Sequence, residues 1–394
     1  MKRSHMSVLL PATVFCLLSG SCFSGSKEKK LEVQEITVCD QAVGSHFSLH
    51  AQDGQLHIIY PSLDALSLNL VSADTLAEPL RPNLGETKYL DRISYSPDIG
   101  DDFGRHLFLV SGSFYHILYV DQESQDNSVL KWLSKTGADE SWWIDAFPEL
   151  SDPLAAVTEE DGSLQVVFSE GRTLSLYRLH AKRGGSAADQ PTPLATTSLS
   201  SGALRPVGET CVVRQGEEWA FSVYDDGSKR LYLVHPGQDT LSIEPVYASG
   251  EVHYSTVLDD HLYILVFDPT ESTITLLERA SLWHEAADRH SFEVTPVTLC
   301  QGTTSVYMTT YNGEHLFLFT ERVIEPREEA GYKLSLLFPE SASGNYQKTT
   351  LLEEQTYIQG FRALKTADTL YVLTMNAGRL VLLSVSLDAL IRSP

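Results

Sequence analysis

The chain is short of positive charge. Its 394 residues carry 29 Lys and Arg against 52 Asp and Glu, a formal net charge of −23. Nucleic-acid affinity comes largely from Lys and Arg displacing counterions, so this balance excludes a phosphate-binding surface as the main function. The one basic run, residues 27–30, is too short to alter that. An acidic surface keeps a protein soluble and apart from its own copies, so a monomer is expected. Cysteine is scarce as well. The five are Cys16, Cys22, Cys39, Cys211 and Cys300, with no CxxC pair and no metal-ligand spacing, so no metal site and no structural disulfide are expected. Helical periodicity is nearly absent, apart from a possible turn near residues 281–288. A GxSxG elbow and a GxxxxGK[ST] loop are both missing, which removes two common hydrolase and nucleotide sites, and no cofactor is expected.

The N-terminus reads as an address. Lys2 and Arg3 precede an apolar stretch at residues 7–18, which is too short to span a bilayer as a helix. Leu18-Ser19-Gly20-Ser21-Cys22 follows. Small residues running into a Cys resemble the bacterial lipoprotein signal, the lipobox, although Leu18 stands four residues before the Cys and Ser19 takes the usual place of Leu. The resemblance implies a signal peptide at 1–21, a lipidated Cys22, a polar tether at 22–30 and a place on the membrane in the bacterial cell envelope, extracytoplasmic, on the periplasmic or surface side. An ordinary secretory signal is the alternative.

Residues 31–390 read as a single repetitive domain. Short runs rich in Leu, Val, Ile, Tyr and Phe alternate with turns such as Asp53-Gly54, Asp161-Gly162 and Asn312-Gly313, a strong hairpin signal. Equivalent turn residues are Gly54, Gly104, Gly162, Gly216, Asp260, Gly313 and Asp368, roughly 50 residues apart, the period of a propeller blade. The fold class expected is all-β, a β-propeller of seven four-stranded blades (six or eight also fit this period). The last repeat has three strands of its own, and the lone strand 31–38, with a slip of register at Glu35, supplies its fourth and closes the ring. In the second repeat the inner strand is expected at 92–96 and the next three at 107–110, 115–120 and 129–133. The resemblance is to β-propeller proteins in architecture, without a tryptophan-aspartate or kelch signature, and propellers serve as enzymes and as scaffolds alike.

Several stretches invite chemistry. Ser96 to Phe103 fits the Asp box of sialidase-like propellers, SxDxGxx before an aromatic, yet it occurs once and falls between the first two expected strands of its repeat. Its acids could also hold Ca²⁺, or form a solvated turn. His284-Glu285 opens like HExxH, but Asp288 replaces the second His. Arg92, Arg205 and Arg362 lie at or near the starts of inner strands, where they form a candidate axial anion site or pair with surface acids. Residues 137–152 read as a long loop with Trp142, Trp143 and Phe147. Adjacent side chains alternate on extended backbone, so one Trp is expected to be exposed and Trp143 or Phe147 to fill the gap between blades. Residues 321–331 form a second long loop, with Arg322 and Arg327 as a polar rim, expected on the same face as the first.

These readings lead to two functions. One is a lipid-anchored scaffold that binds or helps assemble an envelope protein, without catalysis, through Trp142, Trp143, Phe147, Arg322 and Arg327; it resembles in plan the propeller lipoproteins that assist assembly of envelope proteins. The other is a sialidase-like enzyme or glycan binder working at the axial mouth. An enzyme requires carboxylates and arginines converging at the axis, whereas a scaffold requires a broad face with exposed aromatics.

Overall fold

The turn residues and apolar runs resolve into strands in the computed structural model, which describes residues 33–94, 103–124, 127–137, 141–148, 150, 153–181, 191–199, 204–206, 212–215, 218–247, 251–258, 261–268, 273–279, 293–297, 303–323, 331–339, 346–354 and 360–388. The first strand is β1 (Val33–Cys39). Blade 1 follows with β2 (Ser48–Gln52), β3 (Gln55–Ser62) and β4 (Ser67–Asp74); its outer edge is divided between β5 (Asn83–Leu84) and β6 (Lys88–Arg92), both paired with β4. Blade 2 has β7 (His106–Ser111), β8 (Phe114–Ser124), β9 (Asn127–Thr136) and β10 (Trp143–Phe147). Blade 3 has β11 (Pro153–Thr158), β12 (Leu164–Glu170), β13 (Thr173–Leu179) and β14 (Ala195–Ser198). In blade 4 the inner edge is divided between β15 (Leu204–Pro206) and β16 (Val213–Gln215), both paired with β17 (Glu218–Asp225), and β18 (Arg230–Pro236) and β19 (Leu241–Tyr247) complete it.

Blade 5 runs β20 (Glu251–Leu258), β21 (His261–Asp268), β22 (Thr273–Arg279), β23 (Glu293–Val297). Blade 6 runs β24 (Thr303–Tyr311), β25 (Glu314–Val323), β26 (Gly331–Pro339), β27 (Tyr346–Glu354). Blade 7 takes β28 (Phe361–Thr366), β29 (Thr369–Asn376) and β30 (Arg379–Ser386), with β1 antiparallel on the outer edge of β30. The protein is thus a seven-bladed β-propeller whose last blade is closed by β1, the first described strand.

Successive side chains on a strand go to opposite faces, and every sheet here has a neighbour on both. In β28, Phe361 and Ala363 pack against blade 6 while Leu364 packs against blade 1. The second and third strands of a blade therefore read as unbroken apolar runs, as in Leu380-Val381-Leu382-Leu383, all at most 1% exposed. Among the described residues the core forms seven apolar clusters, one in each gap between blades, including the gap between blades 7 and 1 that shuts the ring.

Among the described residues the closing strand is Val33–Cys39, one residue past the expected end, and its slip lies between Thr37 and Cys39 rather than at Glu35; residues 31 and 32 lie outside the described residues. The bulge has a packing cause. It turns both Val38 and Cys39 into the gap with blade 1, whereas Val33 packs into the gap with blade 6.

Blade 2 departs most from the sequence reading. Arg92, expected on the inner strand of the second repeat, ends the outer strand of blade 1, so the other three expected strands each move one place inward and residues 143–147, read as loop, become the outer strand of blade 2. Ile93 misleads, because it is 1% exposed yet fills the gap between blades from a connection. Gly54, Gly162 and Gly313 do lie at hairpins between first and second strands, with φ of +76°, +80° and +81°. Gly104 instead lies in the connection from blade 1 to blade 2, where a Cβ would come within 2.4 Å of Pro61. Gly216 and Asp260 fall outside the described residues.

Candidate functional site

Each inner strand begins at one end of the axial channel, and that end has a built polar arrangement. Ser48 opens β2 and His106 opens β7, both half-buried. The even-numbered residues of β2 face blade 2, so three contacts join the two inner strands: Ser48 with His106, His50 with Phe108, and Gln52 with the carbonyl of Gly112. The His106 Nδ1 lies 2.7 Å from the carbonyl oxygen of Gly104, which can only accept, so Nδ1 carries the proton. Nε2 is left as the acceptor, and Ser48 Oγ donates to it at 2.8 Å. Burial pushes the His106 pKa down to about 4; the Gly104 carbonyl opposes the shift, and the charges of His46 and Arg362 add to it. At neutral pH the imidazole is neutral.

The three arginines expected at this mouth separate. Arg362 lies on β28 beside it: one guanidinium nitrogen donates to the Phe361 carbonyl at 3.0 Å, and the group sits 5.7 Å over the Phe47 ring. Arg205 is on β15, an inner strand. Arg92 is exposed at the end of an outer strand, opposite Ser67, so it takes no part in an axial anion site. The cause is the displaced strand assignment described above.

A second candidate lies at the rim. Trp142 is half-buried, edge-on to Tyr115 with centroids 6.5 Å apart, against the core between blades 1 and 2. Trp143 and Ile144 on β10 are 39% and 48% exposed. Phe147, 5% exposed, packs with Leu118, Leu130 and Trp132 between blades 2 and 3, so its ring is core and presents nothing to a partner. Trp143 lies opposite Ser134, at the face that carries the hairpins between first and second strands. Arg322, exposed, lies opposite Tyr332 beside the connection from β25 to β26, on the other face. Trp143 and Arg322 therefore lie at opposite faces, because residues 143–147, read as loop, form a strand that crosses the blade from one face to the other. Arg327 lies outside the described residues, as do Ser96 and Asp98 of the Asp-box stretch and the His284-Glu285 pair. Among the described residues no group of three or more His, Cys, Asp and Glu is placed to hold a metal ion.

Sequence reading missed Ser48 and His106. Their signal is a polar residue at the first position of two consecutive inner strands, and it is visible only once the inner strand of blade 2 is placed at 106–111. It also missed a polar network between blades 1 and 2. There Lys131 bridges Asp91 at 3.1 Å and Asp121 at 2.6 Å, and the hydroxyl of Tyr119 donates to Asp91. Burial, then the bond to Asp91, raises the Tyr119 pKa and keeps the phenol protonated.

No family model matches the chain, and no curated protein does. Solved structures match in shape. YCF48 from Cyanidioschyzon merolae is 11% identical with a TM-score of 0.52, over 90% of this chain and 99% of that one. YCF48 bound to D1 peptide is 13% identical with a TM-score of 0.50, over 90% and 94%. At such identity the likeness is one of fold, and it establishes the chain as a β-propeller.

Proposed function

We propose that the protein is an extracytoplasmic binding or assembly scaffold of the bacterial cell envelope, held to the membrane by lipid on Cys22, with a partner surface centred on β10. The observation that carries the reading is the adjacent pair Trp143 and Ile144, both exposed on an outer strand. Isolated exposed apolar residues are ordinary, but Trp143 on a propeller rim supplies the large, rigid contact area from which interface hot spots are made, and Ile144 adds apolar area on the opposite face of the same strand. Trp142 supports it from behind, because its ring is braced on Tyr115 and holds the start of β10 in place. YCF48, a propeller of similar plan, has been solved with D1 peptide bound, so a peptide is a ligand this architecture accommodates. The anchor is supported by the order of residues 1–22: charge, apolar run, small residues, cysteine.

Two measurements test the two parts separately. The full chain expressed in a bacterium should enter the detergent phase, and Cys22→Ser should release it; an aqueous parent protein removes the anchor. Capture of envelope proteins by the folded chain should weaken by about 2 kcal/mol or more when Trp143 and Ile144 become Ala, the scale of a hot spot. Unchanged capture by the folded double variant removes the surface.

A further inference from the structure

The contact between Ser48 and His106 has a chemistry separate from partner binding. A serine hydroxyl donates to a neutral imidazole nitrogen at 2.8 Å, and the opposite nitrogen is held by a fixed acceptor at 2.7 Å. That is the relation of nucleophile, base and orienting group in acyl transfer, with a backbone carbonyl in the orienting place. A staple between blades would need only the first of these bonds. The two contacts further along the same strands, His50 with Phe108 and Gln52 with Gly112, already tie them together. Both side chains are half-buried at the open end of the inner strands. Arg362 is the second residue of the neighbouring inner strand of blade 7, and its guanidinium sits 5.7 Å over the ring of Phe47, the residue before Ser48.

We propose that Ser48 is an activated nucleophile at the axial mouth, with His106 as its general base, and that the site accepts carboxylic esters bearing an anionic group, which Arg362 attracts. As Ser48 Oγ bonds to the ester carbonyl carbon, its proton passes to His106 Nε2. The C–O bond to the leaving alcohol then breaks, and Nε2 returns the proton to that oxygen. Water next gives a proton to Nε2 while its oxygen attacks the acyl carbon. The Ser48 C–O bond breaks, the proton returns to Oγ, and the products are an acid and an alcohol. No further reactant is consumed.

The probe is a biotinylated fluorophosphonate applied to the folded full chain at neutral pH, with the adduct mapped by peptide mass spectrometry. The expected result is one dominant adduct on Ser48. It should disappear in Ser48→Ala and slow about a hundredfold in His106→Gln, the scale of general-base assistance. His57→Gln, a change in the same gap between blades but outside this contact, should leave the rate unaltered. A folded wild-type chain without a Ser48 adduct overturns the proposal, whatever the variants do. So does an adduct that forms equally fast with His106→Gln. If that variant does not fold, the urea-unfolded wild type replaces it: Ser48 labelling as fast unfolded as folded overturns the proposal, and labelling lost on unfolding upholds it. Ser48 and His106 lie apart from Trp143 and Ile144, so either reading can fail without the other.

Discussion

Lys131 of β9 lies 3.1 Å from Asp91 of β6, so the third strand of blade 2 grips the outer strand of blade 1. Its ammonium also meets Asp121 at 2.6 Å, and Asp121 in turn accepts the backbone N–H of Ser94. Burial acts to lower the Lys131 pKa, but the hydrogen bonds it donates to Asp121 and Asp91 outweigh it and the pKa is raised. Removing the cation leaves two carboxylates facing each other in a mostly buried gap. Lys131→Met should therefore destabilise the protein by about 2–3 kcal/mol in urea titration, somewhat under the cost of breaking a fully buried pair. The contribution of this lysine holds below its unfolded pKa of 10.5 and is lost as pH rises through the higher folded value.

The closing strand should be worth several kcal/mol even though it lies at an outer edge. Val33, Ile36 and Val38 are only half-buried, but they cover Leu380, Leu382 and Val385, each 0% exposed. Deleting residues 33–39 also opens the backbone edge of β30. The expected loss is about 5 kcal/mol by area transfer, an upper estimate. Thermal melting of that truncation beside one lacking residues 23–30 is the check, with a large fall in Tm for the first alone. Equal melting would leave ring closure without an energetic role.

His57 makes the gap between blades 1 and 2 sensitive to acid. Its Nδ1 meets Ser72 Oγ at 3.1 Å, and the rings of Tyr115 and Phe108 lie edge-on at 5.3 and 6.2 Å. Burial first, then the nearby charges of His50 and Lys88, lowers its pKa from 6.5 to about 4. The neutral form is favoured in the fold, so the unfolded chain binds more protons between those values. Stability from this residue is complete above pH 6.5 and is lost as pH falls toward 4, up to roughly 3 kcal/mol. Denaturant titrations at pH 7.5 and pH 4.5 should show a smaller acid loss for His57→Gln than for wild type. The difference between the two proteins isolates His57 from His50 and His106, whose pKa values are lowered as well.

The two tryptophans should respond differently to truncation. Trp142 packs on the core between blades 1 and 2, so Trp142→Ala should cost about 2 kcal/mol of stability, reduced from a full core truncation by its partial exposure. Trp143, 39% exposed, joins none of the apolar clusters between blades, and Trp143→Ala should change stability by less, about 1 kcal/mol or under. Urea midpoints of the two variants decide this. A Trp143 variant as unstable as the Trp142 variant would mark both rings as core.

Architecture was legible from residue order alone because it depends on local chemistry. Asp53-Gly54 and Asn312-Gly313 demand left-handed backbone, the Leu- and Val-rich runs between turns demand strands, and their period near 50 residues demands blades. The three-stranded last repeat likewise required a strand from the chain start, and β1 supplies it. Outer strands were the weak point, since a strand with half its surface in solvent has little apolar pattern to announce it; Trp143–Phe147 read as loop for that reason. One misplaced strand then moved Arg92 from the rim to the axis in the reading. Only tertiary structure could correct this, because pairing with β4 assigns β6 to blade 1. The same holds for the polar contacts. Ser48 and His106 are 58 residues apart, and Asp91 and Lys131 are 40 apart. They meet because neighbouring blades stack side by side, a relation between sheets that no single stretch of sequence contains.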